Sequence, residues 1–304
     1  MSIEIRQLTK VFGDQIAVDH LDFTVRKGEI LGFLGPNGAG KTTTMKMICG
    51  YLPPTSGTAL ICGIDVVENP IEAKRKIGYL PEHNPLYKDM YVREYLDFFA
   101  RLTQIPNPGK RVGELIEMTG LTQEQNKKIG SLSKGYRQRM GLSQALLHDP
   151  EVLILDEPTS GLDPNQLIEI RQLIRQAGEE KTLLFSSHIM QEVQALCHRV
   201  VIINKGKLVA DDEIRNLLDK GKRNRVISVE FAAPVQLSEL QRIEHVERVV
   251  DLGQCRYQLI SPTDHDVRSH LFKIASDHFW TIRELKEERS SVEEMFNILT
   301  KSES

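Results

Sequence analysis

The run Gly35-Pro36-Asn37-Gly38-Ala39-Gly40-Lys41-Thr42 fits the pattern GxxxxGK followed by Ser or Thr, and Thr43 continues it. Glycines at these spacings let backbone N–H groups turn inward around phosphate oxygens, and a helix opening at Lys41 adds the positive end of its dipole. Lys41 is placed to reach the β- and γ-phosphates of a nucleotide, and Thr42 to put its hydroxyl on Mg²⁺. A second constellation lies at Val152-Leu-Ile-Leu155-Asp156-Glu157, an apolar run ending in two adjacent carboxylates. Beside a phosphate loop, Asp156 would hold the hydration shell of the metal. Glu157 would then orient a water and accept its proton, the work of a general base in phosphoanhydride hydrolysis.

These groups need a scaffold. Glu29-Ile-Leu-Gly-Phe-Leu34 is a short apolar run that breaks into the glycine-rich segment and continues as Lys41-Thr-Thr-Thr-Met-Lys-Met-Ile48, with a stop at Gly50. The expectation is strand, loop, helix, the context that the phosphate motif requires. Ile3 and Ile5, and then Leu21, Phe23 and Val25, alternate with polar residues as strands of a small antiparallel sheet do. From about Pro85 to Leu147 the period becomes helical, with Val92, Tyr95, Leu96, Phe99 and Leu102 at three- and four-residue steps. Strand-like runs return at Val152–Leu155, Leu183–Phe185 and Val200–Ile203, separated by helical segments such as Leu167, Ile170, Leu173 and Ile174. That alternation implies a parallel sheet covered by helices.

Composition narrows the setting. With 39 basic and 42 acidic residues, the formal net charge of −3 offers no excess of positive charge to a phosphodiester backbone, so nucleic acid is not expected as a partner. Cys49, Cys62, Cys197 and Cys255 form no CxxC pair and fit reduced thiols in a reducing compartment. Met1-Ser-Ile-Glu-Ile-Arg6 carries no apolar signal core, and no stretch approaches the ~20 apolar residues that span a bilayer. Any membrane role then needs a partner.

A phosphate loop alone admits many NTPases. The segment Leu132-Ser133-Lys134-Gly135-Tyr136-Arg137-Gln138-Arg139, shortly before the Asp-Glu strand, resembles the LSGGQ signature of the ABC ATPases: Ser133 and Gly135 match, Lys134 and Tyr136 depart from it. Read without the family, it is a polar turn capping a helix. The resemblance implies that the Ser133 and Gly135 N–H groups cap the γ-phosphate held by an opposite subunit, so that a homodimer sandwiches the nucleotides. Ser160-Gly-Leu-Asp163 resembles the family's D-loop, His188 its switch histidine, and Phe12 occupies the place of its adenine-stacking aromatic. Glu82, in Ile77-Gly-Tyr-Leu-Pro81-Glu82, stands where the family has the Q-loop glutamine; a carboxylate there can reach metal-bound water but repels a bare γ-phosphate.

The resemblance covers roughly residues 2 to 220 and implies an ATPase using ATP and Mg²⁺, with Glu157, His188 and Lys41 as catalytic residues and Thr42, Asp156 and Glu82 at the metal. It also implies integral-membrane permease subunits, with the chain peripheral at the cytoplasmic face of the cell membrane. The Asp-Glu-Pro-Thr-Ser-Gly-Leu-Asp-Pro run and the carboxyl-terminal appendage are similar to ABC-2 type exporter ATPases. The opening residues and His83-Asn-Pro-Leu-Tyr87 most resemble the gliding-motility ATPase subunits. A soluble ABC ATPase that remodels ribosomes or another macromolecular complex is the alternative. The ribosome-acting members carry two P-loops and the chromosome-type members long coiled coils, and neither feature is found here. Asn204-Lys205-Gly206-Lys207 is the nearest approach to the NKxD motif of GTP-dependent switches and ends in the wrong residue.

The expected fold is α/β. A P-loop NTPase (ABC ATPase) core over residues 1–220 has an antiparallel β subdomain and a helical subdomain at about 85–147. The basic stretch Lys220–Arg225 reads most simply as a linker, with a solvated loop inside one domain as the alternative, and a small α+β ferredoxin-like domain is expected over 226–304. In that last domain the pattern predicts strand, helix, strand, strand, helix, strand from Val226 to Glu287 and a closing helix over Ser291–Leu299. The aromatic segment Pro85–Phe99 is either a docking surface for the membrane partner or plain core.

Overall fold

Strand propensity and period-2 burial produce β1 (Ile3–Phe12) and β2 (Gln15–Val25), paired antiparallel with Ile3 opposite Val25 and Ile5 opposite Phe23. The computed structural model describes residues 1–217, 224–262 and 265–288. In it, β4 (Ser56–Ile61) and β5 (Ile64–Asp65) extend this antiparallel sheet in the order β2-β1-β4-β5.

A second sheet contains β3 (Ile30–Leu34), β6 (Ile77–Leu80), β7 (Val152–Asp156), β8 (Thr182–Ser187), β9 (Arg199–Asn204) and β10 (Lys207–Glu213), in the order β10-β9-β3-β8-β7-β6. β3 runs parallel to β8 and β9, and β7 parallel to β6 and β8. β7 and β8 are buried along their whole length, as strands covered on both faces must be, which explains their unbroken apolar stretches. Asn204-Lys205-Gly206-Lys207 turns the hairpin between β9 and β10, with φ of 48° at Lys205 and 81° at Gly206.

The two sheets share one apolar core. Leu8, Val18 and Leu21 from the antiparallel sheet meet Phe33, Leu184 and Val201 from the parallel one, together with Met45 and Ile48 of α1 (Lys41–Ile48). Phe23 and Phe33, one from each sheet, stack at 5.4 Å. Parallel register then fixes the site: Leu34 lies opposite Ser187 and Asp156 opposite Ser186, so β3, β7 and β8 deliver their carboxyl-terminal exits side by side.

The residues between β6 and β7 are helical, as their periodicity requires. They form α3 (Val92–Leu102), α4 (Pro108–Met118) and α5 (Lys134–Leu146), with α2 (Pro70–Lys76) before β6 and α6 (Pro164–Glu180) and α7 (Met190–Leu196) after β7 and β8. The aromatic segment is part core and part surface. Tyr95 and Leu96 are buried, with the Tyr95 hydroxyl donating to Gln144 Oε1 at 2.9 Å, while Tyr87, Tyr91 and Phe98 are exposed.

The chain divides into two compact units between Asp211 and Asp212. Most of the basic stretch expected as a linker lies outside the described residues, as does the closing helix expected over Ser291–Leu299. The second unit has β11 (Asn224–Phe231), α8 (Leu237–Gln241), β12 (Arg248–Gly253), β13 (Arg256–Pro262), α9 (Arg268–Asp277) and β14 (Ile282–Glu288). Its strand order, β12-β13-β11-β14 with every neighbour antiparallel, is that of a ferredoxin-like sheet. Ile227, Val229 and Phe231 pack with Tyr257 and Leu259 under Leu240 of α8 and Leu271 of α9, while Val226 and Ile260 alternate to the opposite face.

Candidate functional site

The loop from Gly35 to Thr42 joins β3 to α1, and two of its glycines are forced by close approach. A Cβ on Gly35 would lie 2.5 Å from the Ile203 carbonyl oxygen. One on Gly40, whose φ is 107°, would lie 2.5 Å from the Ala17 carbonyl oxygen. The loop is also tied to its neighbours: Gly35 N–H donates to Ser187 O at 3.3 Å, and Gly206 N–H to Ala39 O at 2.9 Å. Lys41 is buried at the start of α1, where its ammonium donates to the carbonyls of Gly35 at 2.7 Å and Pro36 at 3.2 Å.

The carboxylate pair stands opposite. Ser186 Oγ donates to Asp156 Oδ1 at 2.7 Å and accepts the Glu157 N–H at 2.9 Å, so one buried hydroxyl fixes both acidic residues. Glu157 sits at φ 50°, a left-handed conformation that a non-glycine residue rarely adopts and that its surroundings must hold. Its Oε2 lies 2.8 Å from His188 Nδ1 and its Oε1 3.3 Å from Lys41 Nζ. The latter is an ion pair without hydrogen-bond geometry, so Oε1 is buried with no hydrogen-bond partner. Glu157, His188 and Lys41 therefore meet in one cluster.

Asp156 Oδ2 is likewise buried with no hydrogen-bond partner. Burial pushes the Asp156 carboxyl above the usual range, Ser186, Thr42 and Lys41 pull it down, and Glu82 pushes it up. An orphaned carboxylate oxygen near a threonine hydroxyl, with a second carboxylate close by, is a hard-oxygen donor set. It suits Mg²⁺, which takes one or two carboxylates and completes its shell with water and phosphate. Among the described residues no group of three His, Cys, Asp or Glu forms a cage of its own.

A cavity of about 850 Å³ extends from Lys41, Thr42 and Thr43 past Glu157 and His188 to Phe12. Glu82 and Ser160 border it, as do Asn37, Gly38 and Gly40. Phe12 is half exposed there, with Lys10 Nζ 5.2 Å from its ring centroid. Ser133 and Gly135 are not among the residues around this cavity. They stand at the amino terminus of α5, where Ser133 caps the helix by accepting the Tyr136 N–H at 3.3 Å.

The family model for the ABC transporter matches residues 18–160. The bacitracin transport ATP-binding protein BcrA of Bacillus licheniformis is 43% identical over 225 residues, which cover 73% of this chain and 72% of that protein. The Nod factor export ATP-binding protein I of Burkholderia pseudomallei is 38% identical over 240 residues, 78% of this chain and 79% of the relative. A solved structure of an ATP binding subunit of an ABC transporter is 26% identical with a TM-score of 0.66, covering 72% of this chain and 93% of its own. This chain belongs to the ABC transporter ATP-binding proteins.

It is accordingly an ATPase working with ATP and Mg²⁺, and an ATP-binding subunit of a transporter. Within this ABC subunit the segment that resembles the signature packs against the one that resembles the D-loop and against α6: a Cβ on Gly161 would lie 2.2 Å from Lys134 Nζ, and one on Gly135 2.6 Å from the Gln166 side chain. Asp163 caps α6, accepting the N–H groups of Asn165 and Gln166 at 3.0 Å each. Ser186 and Lys205 are the additions that motif reading does not reach. Ser186 had one sign, a pair of serines closing an otherwise apolar strand. Lys205 borders the cavity from the β9–β10 turn, and the run Asn204–Lys207 that carries it fits no nucleotide motif.

The raised pKa of Asp156 has a consequence for stability. The folded protein binds that proton more tightly than the unfolded chain, so the contribution to stability falls as pH rises from the unfolded carboxyl's ~3.9 through the raised folded value. Asp156→Asn is expected to raise the melting temperature of the nucleotide-free subunit while lowering Mg²⁺-dependent turnover by at least ~10–100-fold. Thermal denaturation without nucleotide checks the first part, and a lower melting point would show that the orphaned oxygen is not a source of strain.

Proposed function

We propose that this subunit works as a homodimer sandwiching ATP, and that it powers an integral-membrane permease of an ABC-2 type exporter from the cytoplasmic face of the membrane. The observation that carries the dimer is the separation of Ser133 and Gly135 from the cavity of their own chain. Helix-end N–H groups that are to cap a phosphate must then come from a second copy. The export direction is supported by the name of one relative, which acts in Nod factor export.

In this reading Phe12 stacks on the adenine and the run Gly35 to Thr43, with Pro36 and Ala39 shaping it, cradles the phosphates. Thr42 and Asp156 hold Mg²⁺, with Glu82 reaching its water shell; when bound, the ion neutralises charge on the phosphate oxygens. Lys41 leaves its loop carbonyls and Glu157 for the β- and γ-phosphates. Glu157, freed on that side, orients a water and takes its proton at Oε1, while His188 holds Oε2 in place. Closure of the dimer on ATP and its release after hydrolysis do the mechanical work, to the extent that ATP prefers the closed state. The exposed Tyr87, Tyr91 and Phe98 supply the surface for a cytoplasmic segment of the permease, beside a groove of about 660 Å³ that Arg93, Asp97 and Arg101 border.

The test is to tag the Glu157→Gln variant, capture it from native membranes in mild detergent and identify what accompanies it. A polytopic membrane protein in stoichiometric amount is the expected result. Ribosomes, DNA or no membrane partner, recovered with intact ATP-bound dimers, would overturn the exporter reading.

A further inference from the structure

We infer that Glu192 is a positioning residue for hydrolysis, holding the exits of β7 and β8 at a fixed spacing and thereby setting Glu157 against His188. The inference rests on the reading of Glu157 and His188 as the hydrolytic pair. Glu192 lies on α7, buried at 3% exposure among Met190, Val193 and Leu196. An apolar side chain would complete that inner face at less cost than a carboxylate, whose burial requires hydrogen-bonding partners. The partners are two hydroxyls. Ser187 Oγ donates to Glu192 Oε2 at 2.8 Å, and Thr159 Oγ1 donates to the same oxygen. Ser187 Oγ in turn accepts the Ile189 N–H at 3.0 Å, which fixes the turn that carries His188.

The placement of those hydroxyls gives the contact its meaning. Thr159 follows Glu157 by two residues in a turn where Glu157 stands at φ 50°, and Ser187 immediately precedes His188. A closed ring results: Glu157, Thr159, Glu192, Ser187, His188 and back to Glu157 through the 2.8 Å contact between Nδ1 and Oε2. Ser186 anchors Glu157 on its amino-terminal side, and Glu192 anchors the same turn on its carboxyl-terminal side. A residue in the left-handed region keeps its conformation only when its neighbours over-determine it. Removing the Glu192 acceptor releases both turns at once, and a small misplacement of a general base costs a large factor in rate.

Steady-state ATP hydrolysis separates this role from a merely structural one. Glu192→Leu and Thr159→Val are each expected to lower kcat by about tenfold or more while KM for ATP stays within about threefold. Thr159→Ser, which keeps the hydroxyl, should retain kcat within about threefold of the native subunit. Because both act through one ring, the double variant should be no slower than the slower single variant. Native kcat in Thr159→Val, losses that multiply in the double variant, or a rise in KM with unchanged kcat would overturn the inference. If Glu192→Leu fails to fold, the Val and Ser variants of Thr159 decide it alone. Glu157→Gln assayed alongside keeps the two levels apart: native turnover in it sinks the hydrolytic pair itself, whereas its inactivity beside a fully active Thr159→Val sinks only the role of Glu192.

Discussion

Glu157→Gln is expected to lower ATP turnover by about 10²–10³-fold while leaving ATP affinity within about threefold of native. The substitution keeps the size of a side chain that is only 6% exposed, and its amide oxygen can still accept from His188. What it removes is the ability to take a proton at the atom facing the cavity, together with the negative charge 3.3 Å from Lys41 Nζ. Losing that ion pair frees the ammonium for phosphate, so binding is not weakened. Phosphate release in Mg²⁺-ATP measures the first effect and a fluorescent ATP analogue the second. The same variant should accumulate as a dimer in ATP, because a step needed for opening has been blocked. Turnover above about a third of native would mean that the water is activated by another group, and His188 would be the next to test.

How far such a site can be read in advance depends on whether its parts are local in the chain. The phosphate loop is local: eight consecutive residues carry the pattern, and the flanking apolar run and helix are equally near, so loop and helix stand where periodicity puts them. The Asp156-Glu157 pair is local too. Its surroundings are not. Ser186 reaches Asp156 and Glu157 across 30 and 29 residues, and the Thr159–Glu192 contact spans 33. Those contacts follow from the parallel register of β7 and β8, which periodicity does not specify. Chain order alone likewise says nothing of whether Ser133 and Gly135 border the phosphate cavity of their own chain, and they are not among the residues that line it. In the second unit the alternation of short strands and helices was enough for the ferredoxin-like order, since each hairpin and crossover is set by neighbouring segments. The division of the chain was less legible. A basic stretch resembles a linker by composition, whereas the break at Asp211 falls within a strand, β10, where no composition change marks it.

The largest effect away from the cavity itself is expected at Gly135. Gly135→Asp should abolish hydrolysis, lowering turnover by about 10²-fold or more, while ATP affinity stays within about threefold. Gly135 is buried at the first turn of α5, and a Cβ there would press on Gln166, the flexible side chain of the neighbouring helix, which can move aside. A carboxylate near a helix amino terminus is locally favourable, so the fold should survive. The cavity of the same chain is untouched, since Gly135 does not border it. In the dimer proposed above, the amino terminus of α5 caps the γ-phosphate of a second copy, so a carboxylate added in this first turn opposes closure by repulsion. Placing Gly135→Asp in the Glu157→Gln background should therefore convert the ATP-bound dimer to an ATP-bound monomer, which light scattering coupled to gel filtration resolves. If the single variant hydrolyses ATP at the native rate, and does so without dependence on protein concentration, one chain contains a complete site and the nucleotide sandwich is wrong.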